Sequence, residues 1–184
     1  MKCINLAVGA QFIARRDTQS ANKLASYDPF HCRSDNQAMD FPHQKNLRRG
    51  RFSQAGQIYH IIITTLNRQP IFNELAAART LVTQLRQAEI DEFARTLAFV
   101  IMPDHLHWLM QLGKQQNLSG VVRSIKAKTS HQVGRAIWQS GFYDHALRKE
   151  EDIQQIARYI IANPLRAGIV SNIGDYPHWH AIWL

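Results

Sequence analysis

The sequence predicts an α+β fold: a ferredoxin-like antiparallel sheet with helices packed on one face. Three observations predict it. Residues 58–66 are rich in β-branched side chains, residues 97–112 form an apolar run broken mainly by Pro103-Asp104, and helical periodicity appears between and after these runs. In chain order the elements are β-α-β-β-α-(β)-α, which is the ferredoxin-like order.

The first half of the chain supplies three strands and one helix. Residues 58–66 form a buried strand, because β-branched side chains favour an extended, packed backbone. Residues 74–90 form a helix, since their apolar residues recur at helical spacing. Those residues are Leu75, Ala78, Leu81, Val82 and Leu85. Residues 93–102 and 105–112 form two further strands joined by a tight turn.

The second half supplies two helices. The first begins at Asn117 or Ser119, since either side chain can cap a helix N-terminus. The last spans residues 150–163 and ends or bends at the proline that follows. Between them, residues 138–147 form a loop or a short fourth strand. The aromatic tail from residue 174 onward is expected to dock on the domain.

The charge balance favours an anionic partner. The 184 residues carry a net charge of +8, with a pI of about 9.9, which is typical of nucleic-acid binding or, less often, of binding to an acidic membrane surface. Cys3 and Cys32 have neither a metal-ligand spacing nor a disulfide framework. Because no apolar run reaches membrane-spanning length, we expect a cytoplasmic protein without membrane association.

Residues 1–44 differ from the rest of the chain in composition. They carry scattered Ser, Asn, Asp and Gln without sustained periodicity, which predicts a poorly ordered N-terminal extension. Residues 45–184 are expected to form one domain. Met39 begins the more coherent sequence, so it stays open whether residues 1–38 belong to the native product.

A pair of histidines is the best clue to function. His105 and His107 open the third predicted strand, and residues two apart on a strand share a face. Two imidazoles side by side on a rigid sheet form half of a divalent-metal site. Taken alone, the pair could equally be half-buried strand histidines without a ligand. A second triplet, His178-Trp179-His180, lies in the irregular tail and is interpreted as packing or surface.

A tyrosine and an asparagine on the last predicted helix favour the metal site over the alternative of histidines without a ligand. Tyr159 and Asn163 are four residues apart, so they lie on one side of the helix. If that side meets the histidine strand, the site holds two imidazole nitrogens, one amide oxygen and one phenol. Mixed nitrogen and oxygen ligands with open positions suit Mn²⁺ or Mg²⁺. The ordinary alternatives are a half-buried aromatic for Tyr159 and a helix end before Pro164 for Asn163.

Basic residues cluster in two segments. Between Arg95 and Asp144 the only acidic residue is Asp104. A stripe of one sign predicts a track for DNA phosphates, whereas a solvated surface usually mixes signs. The candidate DNA-binding residues are Arg48, Arg49, Arg51, Arg123, Lys126, Lys128 and Arg135. Three aromatic residues are assigned equally to base stacking or to the core: Trp138, Phe142 and Tyr143.

Three stretches of the chain carry a resemblance to a known family. They are residues 100–109 (VIMPDHLHWL), 141–148 (GFYDHALR) and 159–170 (YIIANPLRAGIV). In this order they resemble the REP-associated tyrosine transposases, which are single-tyrosine transposases of the HUH endonuclease superfamily. The similarity covers roughly Arg48 to the C-terminus and leaves the first forty or so residues unmatched.

The resemblance implies an HUH endonuclease fold and cleavage of single-stranded DNA, often at hairpin-forming palindromic repeats. It implies that His105, His107 and Asn163 hold Mg²⁺ or Mn²⁺, and that Tyr159 attacks the DNA to form a 5′-phosphotyrosine. Such relatives act as monomers or homodimers. Family members commonly carry Asn where this chain has Asp104, which is expected to orient His105 or the turn, or to add negative charge near the metal.

Three other functions are compatible with these features. One is a non-catalytic, domesticated DNA- or RNA-binding regulator of the same fold. Another is a metal-dependent hydrolase that uses water and forms no covalent species. The third is a replication initiator or plasmid relaxase of the same superfamily, although those chains are generally larger. The sequence leaves open the DNA target, the native metal and whether strand transfer follows cleavage.

Overall fold

The computed structural model describes residues 53–148 and 151–183, which contain a five-stranded antiparallel sheet. The strands are β1 (Ile58–Thr64), β2 (Ala94–Met102), β3 (His105–Leu112), β4 (Tyr143–Ala146) and β5 (Trp179–Ala181), in the spatial order β4-β1-β3-β2-β5. The helices are α1 (Leu75–Ile90), α2 (Leu118–Val133), α3 (Ile153–Ile161) and the short α4 (Asn163–Arg166). The predicted extension (residues 1–44), together with Arg48, Arg49 and Arg51, lies outside the described residues.

The predicted antiparallel sheet and its order of elements are confirmed. Strand β3 has the predicted bounds, whereas α3 begins at Ile153, after Asp152, whose carboxylate accepts the backbone N–H groups of the first helical turn. The tail forms strand β5 beside β2, and the Tyr176 hydroxyl donates to the Ile101 carbonyl over 2.6 Å. No helix among the described residues is long and apolar enough to cross a membrane.

One face of the sheet is covered by α1 and α2. The apolar side chains of this face are fully buried with those of the two helices; among them are Ile61, Ile63, Leu106, Trp108 and Met110. Trp138 belongs to this core and packs on Phe72 with ring centroids 5.3 Å apart, and Phe142 packs against it. Of the two roles left open for Trp138 and Phe142, the structure therefore shows the core role.

The opposite face carries the histidines and is partly covered by α3. Side chains alternate along a strand, so the residues between those of the core, such as His107 and Val100, point to this second face. Helix α3 packs against β2, β3 and β5, and its buried Ile156 and Ile160 cover the apolar part of that face. Helices therefore lie on both faces, which corrects the predicted one-sided packing.

Replacement of the cap of α2 tests how this helix begins. The Asn117 side chain accepts the Gly120 N–H over 2.8 Å, whereas no side-chain cap bond from Ser119 is seen. We expect Asn117→Ala to lower the free energy of unfolding by about 1 kcal/mol, and Ser119→Ala to change it by a few tenths at most. Urea unfolding of both variants measures this, and equal effects would contradict Asn117 as the cap.

Candidate functional site

The pairing of β1 with β3 sets the geometry of the histidine face. Ile62 lies directly opposite His107, and Thr64 lies opposite His105. Directly paired residues share a face of the sheet, so His60, two positions before Ile62, is a diagonal neighbour of His107. On the other side of β1, strand β4 places His145 opposite His60. The register thus gathers four imidazoles on one face.

The two histidines of β3 present their Nε2 atoms to one point. The Nε2 atoms of His105 and His107 are 3.1 Å apart. Two ligands at right angles on one ion, with bonds of about 2.2 Å, are separated by about 3 Å. The pair therefore fits one divalent cation. No group of three or more His, Cys, Asp or Glu side chains within residues 53–148 and 151–183 is arranged to hold a metal.

Asp104 orients the first histidine. Its Oδ1 lies 2.5 Å from His105 Nδ1, and its Oδ2 lies 3.1 Å from Nη1 of Arg68. Partial burial raises the pKa of Asp104, but the hydrogen bond and charge of His105, together with Arg68, outweigh it and hold this pKa below its usual value. A carboxylate only accepts hydrogen bonds, so His105 donates to Asp104 from Nδ1, and this bond turns Nε2 of His105 toward His107.

The second histidine is buried and neutral. His107 is 8% exposed, and burial, followed by the charges of His105, His60 and Arg166, lowers its pKa well below the ordinary value. Burial also lowers the pKa of His60 to about 3, with a further contribution from His145. Metal ligation requires a neutral imidazole, so the environment of His107 favours the form that binds a cation.

Tyr159 and Asn163 are linked through an arginine. The guanidinium carbon of Arg166 lies 3.6 Å from the ring centroid of Tyr159, and its Nη2 donates to Asn163 Oδ1 over 2.7 Å. The Asn163 amide donates in turn to the Ile160 carbonyl. An amide oxygen has two lone pairs, so Asn163 Oδ1 keeps one for a ligand. The charge of Arg166 also contributes to the lowered pKa of His107.

The predicted basic stripe lies on a different part of the molecule. Helix α2 packs against the face opposite the histidines. The ammonium of Lys126 donates to the backbone carbonyls of Gln139 and Gly141, and Lys128 is 3.8 Å from Asp91. Arg123 and Arg135 are exposed on the same helix and just after it. The structure therefore does not bring these four cations together with His105 and His107.

Three residues of the site were missed by the sequence analysis: His60, Arg68 and Arg166. Each acts through a partner distant along the chain or through a stacked ring. His60 is one histidine within an apolar strand, and only the register between β1 and β3 shows that it contacts His107. Arg166 lies within one of the matched stretches, three residues after Asn163, and that spacing is the signal that could have found it.

The sheet thus carries paired histidines on a central strand, and a helix over the same face carries Tyr159. The chain belongs to the IS200-like transposase family, whose model matches residues 53–163.

Two relatives and one solved structure show the extent of the similarity. The chain is 35% identical over 83 residues to the REP-associated tyrosine transposase of Escherichia coli K12, covering 44% of this chain and 50% of that protein. It is 23% identical over 166 residues to an uncharacterised Haemophilus influenzae protein, covering 67% and 89%. A structure of a REP-associated tyrosine transposase bound to a REP hairpin aligns with a TM-score of 0.60 at 25% identity, covering 70% of this chain and 79% of that one. The chain thus spans half the length of the E. coli relative.

The charge of Asp104 should contribute to stability only above the pH at which this carboxyl protonates. The folded-state pKa is lowered, so the contribution is present above about pH 4 and is lost as the pH falls through the folded-state value. Asp104→Asn keeps an oxygen that can accept from His105 but removes the charge. We expect it to cost roughly 1 kcal/mol or less at pH 7, since Arg68 is half exposed, and to cost less at pH 3.

Urea unfolding of both proteins at the two pH values, in buffer without divalent ions, measures this difference. A cost that is the same at pH 7 and pH 3 would show that the charge of Asp104 does not stabilise the fold.

Proposed function

We propose that this protein is a metal-dependent single-stranded DNA endonuclease and strand transferase, a transposase that cleaves through a 5′-phosphotyrosine at hairpins of palindromic repeats. The observation that carries the proposal is the meeting of two elements on one face. The convergent Nε2 atoms of His105 and His107 lie on β3, and the helix that packs over this face carries Tyr159. The hairpin bound by the solved relative supports the substrate class.

The residues present fit a divalent cation. His105 and His107 would hold it through Nε2, and Asn163 through Oδ1, the remaining positions being left to phosphate oxygens of the DNA. When bound, Mg²⁺ or Mn²⁺ would offset the negative charge that develops on the phosphate during transfer. Asp104 keeps His105 in the required tautomer, and the burial of His107 keeps its imidazole neutral.

Tyr159 would supply the nucleophile. Its Oη attacks phosphorus while the bond from phosphorus to the 3′-oxygen breaks, which leaves a 5′-phosphotyrosine and a 3′-hydroxyl; the phenolic proton ends on that hydroxyl or in solvent. The 3′-hydroxyl of a second strand can reverse the attack and rejoin DNA. An unperturbed phenol is almost fully protonated at neutral pH. Arg166 lies 3.6 Å from the Tyr159 ring, and its cation would stabilise the developing phenolate.

The basic residues would bind DNA outside the cleavage site. Arg123 and Arg135 are exposed on the side of the molecule away from the histidines, so they fit backbone contacts to the flanking hairpin. Lys126 and Lys128 would contribute less, because both contact groups of this chain. Arg48, Arg49 and Arg51 are proposed as further DNA-binding residues. Because its proposed substrate is nucleic acid, the protein would act in the cytoplasm.

Removal of one oxygen from Tyr159 tests the covalent step. Tyr159→Phe should abolish the DNA–protein adduct formed with Mn²⁺ and a single-stranded hairpin substrate, yet keep DNA affinity, since only the nucleophile is lost. A denaturing gel detects the adduct, and Tyr176→Phe, whose hydroxyl bonds the backbone, serves as the control that retains it. Cleavage that survives Tyr159→Phe would indicate water as the nucleophile, and absence of adduct in the wild type would favour the non-catalytic regulator.

The charge next to the tyrosine is tested separately. Arg166→Gln should lower the rate of adduct formation by about 10²-fold, the usual scale for losing one group that stabilises developing charge. Arg158→Gln makes the same change on the exposed side of α3, at the residue before Tyr159, and should leave the rate within about two-fold. Single-turnover kinetics measure both variants, and equal rates would rule out a role for Arg166 in the chemical step.

A further inference from the structure

A buried histidine on the neighbouring strand contacts the second candidate ligand. His60 is 1% exposed, and its Nε2 lies 3.1 Å from Nδ1 of His107, with the two rings stacked at a centroid distance of 5.3 Å. The contact uses the nitrogen of His107 that faces away from His105. His60 is therefore placed to control which nitrogen of His107 carries the proton.

With His105 in its neutral form, the hydrogen bonds of the metal-free chain run in one order. Asp104 fixes the proton of His105 on Nδ1, which leaves Nε2 as an acceptor. The 3.1 Å contact between the Nε2 atoms is then a hydrogen bond only if His107 donates from Nε2. A neutral imidazole has one N–H, so Nδ1 of His107 must accept, and His60 must donate from its own Nε2.

A cation on Nε2 of His107 reverses this order. Ligation requires the lone pair of Nε2, so the proton of His107 moves to Nδ1, which becomes a donor. The residue that faces Nδ1 of His107 must then accept its hydrogen bond. A carboxylate could not have donated in the metal-free state, and an ammonium could not accept in the loaded state. A neutral imidazole does both by moving its own proton from Nε2 to Nδ1.

We propose that His60 is a positioning residue that switches from donor to acceptor toward His107 when a divalent cation binds. This inference rests on the metal site of the proposed function. The bond is stronger in the loaded state, since a cation on one nitrogen makes the N–H of the other a better donor. Loss of His60 therefore weakens cation binding more than it weakens the metal-free fold.

Two substitutions of His60 distinguish the effect of losing its hydrogen bond from the effect of changing its volume. His60→Leu removes the partner and should raise the Mn²⁺ dissociation constant about ten- to a hundred-fold. His60→Gln places an amide, which both donates and accepts, near the position of Nε2 and should restore most of the affinity. His180→Leu is the matched control on β5, because its side chain lies on the opposite face, beside Phe99, and it should bind as the wild type does.

Two readouts test the switch on the full chain. Electron paramagnetic resonance counts free Mn²⁺, with and without a single-stranded oligonucleotide. Long-range ¹H–¹⁵N spectra report the imidazole tautomers with and without Mg²⁺, and we expect His107 to move from Nε2–H to Nδ1–H and His60 to do the same. Folding of each variant is checked by its thermal unfolding midpoint.

The outcomes separate this inference from the proposed function. Unchanged affinity in folded His60→Leu, or a His60 tautomer that does not respond to Mg²⁺, overturns the switch while leaving the transposase proposal intact. Weakened binding and a tautomer change without any DNA adduct support the switch and count against the nuclease. A wild-type chain that binds neither ion, with or without the oligonucleotide, overturns both the switch and the metal-dependent chemistry.

Discussion

The site depends on one constraint, the register of the antiparallel pairing between β1 and β3. Because side chains alternate along a strand, a slip of one residue would turn His60 into the apolar core and break its contact with His107. The register is fixed by the other face of the same strands, where Ile61, Ile63 and Trp108 are fully buried. Burial of the hydrophobic face thus fixes the alignment of the residues on the polar face.

The polar face divides into a covered half and an accessible half. Helix α3 shields the apolar residues of β2 and β5 with its isoleucines, and the half-buried Tyr159 lies on this helix. Toward β1 and β4 no helix intervenes among the described elements, and Ile62, Thr64 and Tyr143 keep partial exposure. The accessible part of the histidine face therefore lies on the side of β1 and β4, away from the tyrosine helix.

Local sequence patterns predicted the parts of the structure that local forces determine. Strand β3, the turn before it and the shared face of His105 and His107 follow from alternation and turn residues. For the start of α2, capping narrowed the choice to Asn117 or Ser119. Long-range features did not follow. The side on which α3 packs, the strand formed by the tail and the partnership of His60 with His107 depend on which distant segments meet, and residue spacing within one element does not report that. Arg166 was missed because its role needs a ring stacked beneath it.

The lengths of the strands have a consequence for how copies of the molecule meet in solution. The three inner strands contain seven, nine and eight residues, whereas the outer strands β4 and β5 contain four and three. Exposed sheet edges invite pairing with another chain, and short borders are a common protection against it. Strand β5 covers part of the long edge of β2. The pairing of these two strands therefore also protects that edge from aggregation.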